Sequence, residues 1–412
     1  MTATLTEIDD ARRIVLEHAG ALEDEPVALA DADGRVLAVD VDSAAPIPPF
    51  DNSAMDGFAL RCTDVAGAGP RTPVALLIAG ESRAGHPARQ TVGPDQAVAI
   101  STGAMLPAGA DAVVAVEQTR TRDGHVEILT EVAPGDYVRL AGEDILTGQR
   151  VLTRGTRLGA AELGVLASLG QVEVRCSRRP RVAVITTGDE LVAPGSELTP
   201  GAIHDANAHS VPALARQLGA EPGSVVTVPD DAQATRHALA DALDQADVVV
   251  ICGGVSVGVH DHVRPSLAAL GVDEHFWGVA LRPGKPTWFG ARGATLVFGL
   301  PGNPVSAMVT FTLFVAPALD ALSGASSRER RARARLARNY TKSPGRAHAV
   351  RCRLLLDERG WQAEPTGDQR SHILTSMLGA DALAIIPTAS GDVPAGEHVE
   401  VELLPQMWPG LR

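Results

Sequence analysis

The run PRVAVITTGDEL, residues 180–191, decides how the middle of this 412-residue chain folds. Its apolar block, 182–187, lies between a proline and a glycine, the pattern of a strand buried on both faces. Working outward, 225–228, 248–252 and 295–298 repeat it. Between them, 210–218, 232–246 and 263–270 carry helical spacing. A last helix starts at Pro304, with Asn303 suited to the cap and Pro304 to the first turn. Strands alternating with helices predict a parallel-rich sheet joined by right-handed crossovers.

Residues 3–20 read as an amphipathic helix with Leu5, Ile8, Ile14, Val15 and Leu16 on its apolar side. Short β-like runs at 74–78, 96–100, 112–116 and 126–129 predict a β-rich module. A helix over 159–169 closes on Gly170, the residue favoured for a left-handed C-cap. The basic run SRERRARARLAR, 327–338, reads as a solvated linker face at a domain boundary. Beyond it, 349–355, 361–364, 382–386 and 398–404 predict the strands of a small β-barrel.

Lys and Arg number 36 against 50 Asp and Glu, a net charge of −14. A field of that sign repels nucleic acid and anionic membranes, so neither is an expected partner. An anionic substrate has to be received by local positive groups or a bound metal. Cys62, Cys176, Cys252 and Cys352 are scattered, suggesting neither a zinc site nor a disulfide framework, and fit a reducing cytoplasm. The first 20 residues lack the long apolar stretch of a signal peptide. Residues 293–319 carry no charge, but Gly299, Pro301, Gly302, Pro304 and Pro317 interrupt them. About a dozen residues are left for an unbroken helix, too few to span a membrane, so a buried helix is expected.

Ligands of open α/β sheets bind at the carboxyl ends of the strands. In chain order those ends carry TTGDE (186–190), Asp230-Asp231, GGVSVG (253–258) with Asp261 behind it, and GLPGNP (299–304). Singly, each suits an ordinary turn or helix cap; together they fall on one edge. Glu190, Asp230 and Asp261 offer carboxylate oxygens that suit Mg²⁺, a hard cation that bridges to phosphate. Gly253, Gly254, Ser256 and Gly258 let backbone N–H groups approach a phosphate, though no Gly-Lys-Ser/Thr comes after them to make a Walker loop. Arg282 and Lys285 in LRPGKP suit an oxyanion. His260, His262 and His275 read as surface or satisfied histidines. Residue types alone thus point to a metal-assisted site for a phosphate-bearing substrate.

TTGDEL, GGVSVG with Asp261, PGKP and GLPGNPVSA resemble the domain shared by MoeA, MogA and gephyrin. PFDNSAMDGF (49–58), ISTGAMLP (100–107), RLAGEDI (139–145), PGRAHAVR (344–351) and QRSHILTSM (369–377) resemble the MoeA branch specifically. The resemblance implies four domains: a helix-containing linker domain (1–44 plus 149–178), an inserted β-rich domain (45–148), a MogA-like α/β domain (179–326) and a C-terminal β-barrel (327–412). It implies an elongated homodimer and a reaction in which adenylyl-molybdopterin and molybdate give molybdenum cofactor and AMP with Mg²⁺ assisting. A MogA-like adenylyltransferase is the implied supplier. By the same resemblance, Asp56, Thr102 and Asp144 act with Glu190, Asp230 and Asp261 across the dimer. Pro301 and Pro304 shape a turn beside the substrate, and Arg282, Lys285, Ser306, Arg351 and Ser371 form an anion pocket.

Three positions depart from the family pattern: Gly278 comes after Phe276-Trp277 where members often carry lysine, Arg282 replaces a lysine, and Arg139 precedes Leu140 and Ala141; the first and last remove positive charge. The carboxylates are untouched. Two other functions compete: adenylylation of molybdopterin, since the α/β domain is shared, and gephyrin-like scaffolding. PFDNSAMDGF and the barrel argue against the first, the lack of an added linker or second catalytic domain against the second.

Overall fold

A computed structural model describes residues 5–255, 262–326 and 330–405. The chain forms two compact units, one of Met1–Val39, Arg154–Gly159 and Glu173–Arg412, the other of Asp40–Thr153 and Ala160–Val172.

The first unit opens with helix α1 (Ile8–His18), which buries Ile8, Ala11 and Val15. Leu16, expected on the apolar side, is 41% exposed. In the second unit, β1 (Gly57–Leu60), β2 (Val74–Ser82), β3 (Gln96–Ile100), β4 (Ala112–Ala115), β5 (Thr119–Arg122) and β6 (His125–Ile128) form one sheet in the order β4-β1-β3-β2-β6-β5. Only β2 and β3 run parallel. Gly57 has a steric reason: a Cβ there would lie 1.9 Å from the Val114 carbonyl oxygen. Helix α2 (Ala160–Ser168) ends near Gly170, whose φ of 75° is the left-handed cap expected of it.

The α/β sheet of the first unit is built from β7 (Arg181–Thr187), α3 (Asn207–Gln217), β8 (Glu221–Val228), α4 (Ala232–Gln245), β9 (Val248–Cys252), α5 (Val263–Ala269), β10 (Asp273–Trp277), β11 (Leu281–Arg282, which joins the barrel), β12 (Trp288–Arg292) and β13 (Thr295–Leu300). Its order is β8-β7-β9-β13-β12-β10. The first four strands are parallel, and β12 and β10 are antiparallel additions that the alternating pattern did not predict. Alternation within the strands feeds two cores. Val182, Val184, Val248 and Val250 pack with α1, α3 and the last helix; Ala183, Ile185, Val249 and Ile251 pack with α4 and α5.

The last helix, α6 (Pro304–Leu322), is 19 residues long and mostly buried inside the unit. Pro317 was expected to interrupt it and does not. Proline cannot donate to the carbonyl four residues back and crowds it. Here Phe311–Val315 widen into a π turn, and the Leu313 carbonyl accepts instead from Arg12 Nε at 3.2 Å. Arg12 Nη2 also pairs at 2.9 Å with Glu402, which is 3% exposed.

The C-terminal strands β14 (Arg331–Leu336), β15 (Ala347–Asp357), β16 (Gly360–Pro365), β17 (Ala382–Ile386) and β18 (His398–Leu403) close into a barrel in the order β15-β16-β14-β18-β17 and back to β15. The basic run is corrected here: 331–336 is a barrel strand. Arg-Ala-Arg-Ala-Arg-Leu has the period of two, Ala334 and Leu336 face the core, and Arg331 and Arg335 pair with Asp9 and Asp357.

Replacing Arg12 by Met should lower unfolding stability by about 3 kcal/mol, because the Leu313 carbonyl loses its donor and the buried Glu402 carboxylate keeps only Arg331 Nε, at 3.7 Å. The Arg12→Met, Glu402→Gln double variant should recover part of the loss. Urea denaturation of the three proteins checks this.

Candidate functional site

Three glycines shape the carboxyl edge of the sheet. A Cβ on Gly188 would sit 2.4 Å from Glu190 Oε2, so glycine lets that carboxylate fold back over the turn. Cβ atoms on Gly253 and Gly254 would meet Thr187 at 2.8 and 3.0 Å. Behind these turns, Asp205 accepts from Thr186 Oγ1 at 2.5 Å and Thr227 Oγ1 at 3.1 Å, and from the Ala208 N–H at the start of α3. Asn207 Nδ2 donates to the Gly302 carbonyl at 2.7 Å. Sequence reading passed over Asp205 and Asn207 because neither stands directly after a predicted strand. Burial, with Asp205 nearby, pushes the Cys252 thiol far up, so it is chemically quiet.

Glu190 and Asp230 stand at the ends of β7 and β8, neighbours in the sheet, and both are exposed. Asp189 Oδ1 accepts the Asp230 N–H at 3.0 Å and ties the two turns together. Asp231 caps α4 by accepting from the N–H groups of Gln233 and Ala234, which leaves the Asp230 carboxylate free of that task. Neither Glu190 nor Asp230 has a cationic partner among the described residues. Two unpaired, hydrated carboxylates fit a cation that keeps much of its water, as Mg²⁺ does. Asp261, the third expected ligand, and Ser256 and Gly258 lie outside the described residues; among the described ones no three His, Cys, Asp or Glu converge as a metal cluster.

A separate cavity of about 350 Å³ gathers most of the expected anion pocket: Arg282, Lys285, Ser306 and Ser371 line it, together with Pro301 of the expected turn beside the substrate. Gly284, with φ 121°, gives the PGKP turn its shape; a Cβ there would be 2.5 Å from Thr310 Cγ2. Pro304 begins α6 and is not part of the lining. Arg346, Arg370, His372 and Gln369 also line the cavity and were not singled out from the sequence; Asn303, expected to cap α6, holds the cap position without a side-chain cap bond and lines the cavity too. Arg370 pairs with Asp368, whereas Arg282, Lys285 and Arg346 have no carboxylate partner among the described residues.

Arg351 is the correction. It was expected in the pocket, but its side chain is fully buried beneath the 368–376 loop. Its guanidinium donates to the carbonyls of Asp368, Gln369 and Arg370 and to Ser376 Oγ, at 3.0–3.2 Å. A buried guanidinium is tolerable only when its donors are met, and the loop meets them. Arg346 and Arg351 occupy one motif; Arg346 stands just before β15 and Arg351 inside it, and only the first reaches the cavity.

In the second unit, Asp56 Oδ1 accepts from the Thr102 N–H at 2.7 Å and from Thr102 Oγ1 at 3.1 Å, so the structure brings these two together. The loop bearing Asp144 is tied to 47–51: the N–H groups of Ala141, Gly142 and Asp144 donate to Asp51 Oδ1, the Pro48 carbonyl and the Ile47 carbonyl. The Asp144 side chain is exposed.

Comparison with known proteins bears on the family and the fold. Residues 6–170 match the family model of the MoeA N-terminal region (domain I and II), 183–321 that of a "Probable molybdopterin binding domain", and 333–404 that of the MoeA C-terminal region (domain IV). A molybdopterin molybdenumtransferase of Haemophilus influenzae is 37% identical over 96% of this chain and 98% of its own length. One from Nostoc is 43% identical, over 73% of this chain and 70% of its own. A solved structure of the molybdopterin biosynthesis MoeA protein from Pyrococcus horikoshii superposes with a TM-score of 0.84 at 32% identity, covering 97% of this chain and all of that one.

The positive cavity wall should register on a neighbour. His348 lies opposite Arg282 in the β11–β15 register and bonds Tyr340 at 3.0 Å. Burial, then Arg282, Lys342 and Arg346, push its pKa down to about 4. Above the unfolded value of about 6.5 both states are neutral; below it the unfolded chain binds a proton that the folded one refuses. Stability should therefore fall as pH drops from about 6.5 to about 4, and His348→Gln should flatten that part of the curve, as denaturation at stepped pH will show.

Proposed function

The chain belongs to the MoeA family of molybdopterin molybdenumtransferases, and from that premise we propose that it inserts molybdate into adenylyl-molybdopterin, releasing AMP with Mg²⁺ assistance and completing molybdenum cofactor. The observation that carries the reading is the cavity in which Arg282, Lys285 and Arg346 converge with Ser306 and Ser371 in a chain of net charge −14. Permanent cations beside hydroxyl donors are what a tetrahedral oxyanion needs. Glu190 and Asp230, with Asp261, would hold Mg²⁺, which when bound offsets phosphate charge and eases departure of AMP. Asp230 is kept available because Asp231 takes the capping role. Thr102 fixes the Asp56 carboxylate through two hydrogen bonds, leaving its other oxygen to face the substrate.

The proposal includes a homodimer working in the cytoplasm and supplied by a MogA-like adenylyltransferase. Phe50, Met55, Met105, Tyr137 and Leu140, all exposed on the segments around Asp56, support a surface that another chain covers. Four free thiols suit a reducing compartment.

Lys285→Ala should raise the molybdate concentration for half-maximal insertion roughly ten- to hundredfold, the value of one lost charge-assisted hydrogen bond. Binding of adenylyl-molybdopterin should change little; an unchanged molybdate dependence would remove Lys285 from the pocket. In a second test, Asp56→Ala and Asp230→Ala, each inactive alone, are co-expressed. Recovery of activity in the mixed dimer is expected if the two carboxylates of one working site come from different subunits, and continued inactivity refutes that arrangement.

A further inference from the structure

The oxyanion cavity is lined by groups that hold charge but do not exchange it, with one exception. Guanidinium and ammonium stay protonated across the physiological range, whereas imidazole is the side-chain type that ordinarily trades a proton there. Among the described residues lining the cavity, His372 is the imidazole. Its backbone is held on both sides. Arg351 Nη2 donates to the Arg370 carbonyl at 3.2 Å, and Ser376 Oγ donates to the Ile373 carbonyl at 2.6 Å. Ser371 and His372 are the two residues between these anchors, and Arg351 and Ser376 are themselves joined at 3.0 Å. The loop therefore presents its imidazole from a braced backbone. The charged groups around the ring are Asp368 and Arg370 on its own loop, and Arg282, Lys285 and Arg346 across the cavity.

Oxide is a poor leaving group unless it is protonated. We propose that His372 donates a proton to the oxygen that molybdate loses when the sulfur atoms of the pterin take its place; this rests on the molybdenumtransferase reading above. In that step the two thiolate sulfurs of the enedithiolate each form a bond to molybdenum, and one Mo–O bond breaks. The departing oxide takes two protons, one from the His372 imidazolium and one from solvent, and leaves as water. Molybdate, the dithiolate and two protons thus give a trioxo dithiolene complex, which carries the same double negative charge as molybdate, and one water. Molybdenum remains hexavalent, and nothing is oxidised or reduced. Arg282 and Lys285 hold the remaining oxygens while the ring acts, so anion binding and proton delivery fall to different side chains.

The test is single-turnover insertion of molybdate, with Mg²⁺ and adenylyl-molybdopterin, monitored from about pH 5.5 to about pH 9. The wild-type rate should decline on the alkaline side. His372→Gln should be about 10²-fold slower, the worth of a general acid, and should lack that alkaline decline. Its half-saturating molybdate concentration should match the wild type, a split that a merely anion-binding or structural role does not produce. His372→Ala with imidazole in the buffer should regain part of the rate, which keeps the test decisive if the glutamine variant folds poorly. A His372→Gln profile superimposable on the wild type overturns the proposal, as does a defect confined to molybdate half-saturation. If the wild-type protein inserts no molybdenum, the underlying reading fails and takes this one with it; wild-type insertion with an unaltered variant sinks the proton donor alone.

Discussion

Burial of the central strands on both faces is the constraint on which the rest of the first unit depends. Along β7 and β9, successive side chains enter opposite cores, so a polar group in mid-strand would be desolvated whichever way it pointed. Along β7, polar residues are admitted only at its two ends, Arg181 at the start and Thr186 and Thr187 at the finish. There Thr186 is met by Asp205, and Thr187 lies against Gly253 and Gly254. Chemistry is pushed to the strand ends because the mid-strand positions of β7 and β9 do not tolerate it. Gly188, Gly253 and Gly254 are the steric counterpart, each standing where a Cβ would strike another residue.

A second constraint is electrostatic. An anion-receiving wall has to be raised against an overall charge of −14, and it is assembled from Arg282, Lys285 and Arg346, which no described carboxylate neutralises. Burial first, and then Arg282, Lys342 and Arg346, hold the His348 pKa down at about 4. Arg351 contributes differently. A guanidinium with no exposure is stable because four loop groups accept from it, and in return it stiffens the loop that carries Ser371 and His372. One arginine of PGRAHAVR thus lines the cavity while the other builds its wall.

The expectations that failed share a cause. Pro317 is a helix breaker by local rules, yet Arg12, 301 residues away from Leu313 in sequence, supplies the missing donor and a π turn supplies the room. The run 327–338 looked solvated by composition, but alternate arginines of its strand meet acidic partners on α1 and β15. In both cases a distant side chain reversed what a local pattern implied.

Periodicity reports which face of a local element is apolar, and that much was legible: β7, β8, β9 and β13, the helices between them, the main strands of the β-rich module and those of the barrel. The motifs also marked the strand ends bearing Glu190 and Asp230 and the PGKP and GLPGNP turns, because glycine, proline and carboxylate are demanded there by backbone geometry and charge; Asp56 and Thr102 were named through the family resemblance alone. Tertiary structure alone decided which of Arg346 and Arg351 reaches the cavity, what satisfies the carbonyl behind Pro317, and that Arg370 and His372 join Ser371 at one wall. Those outcomes depend on which donors and acceptors meet across hundreds of residues, and hydrogen-bond satisfaction in a desolvated interior has no local signature in sequence.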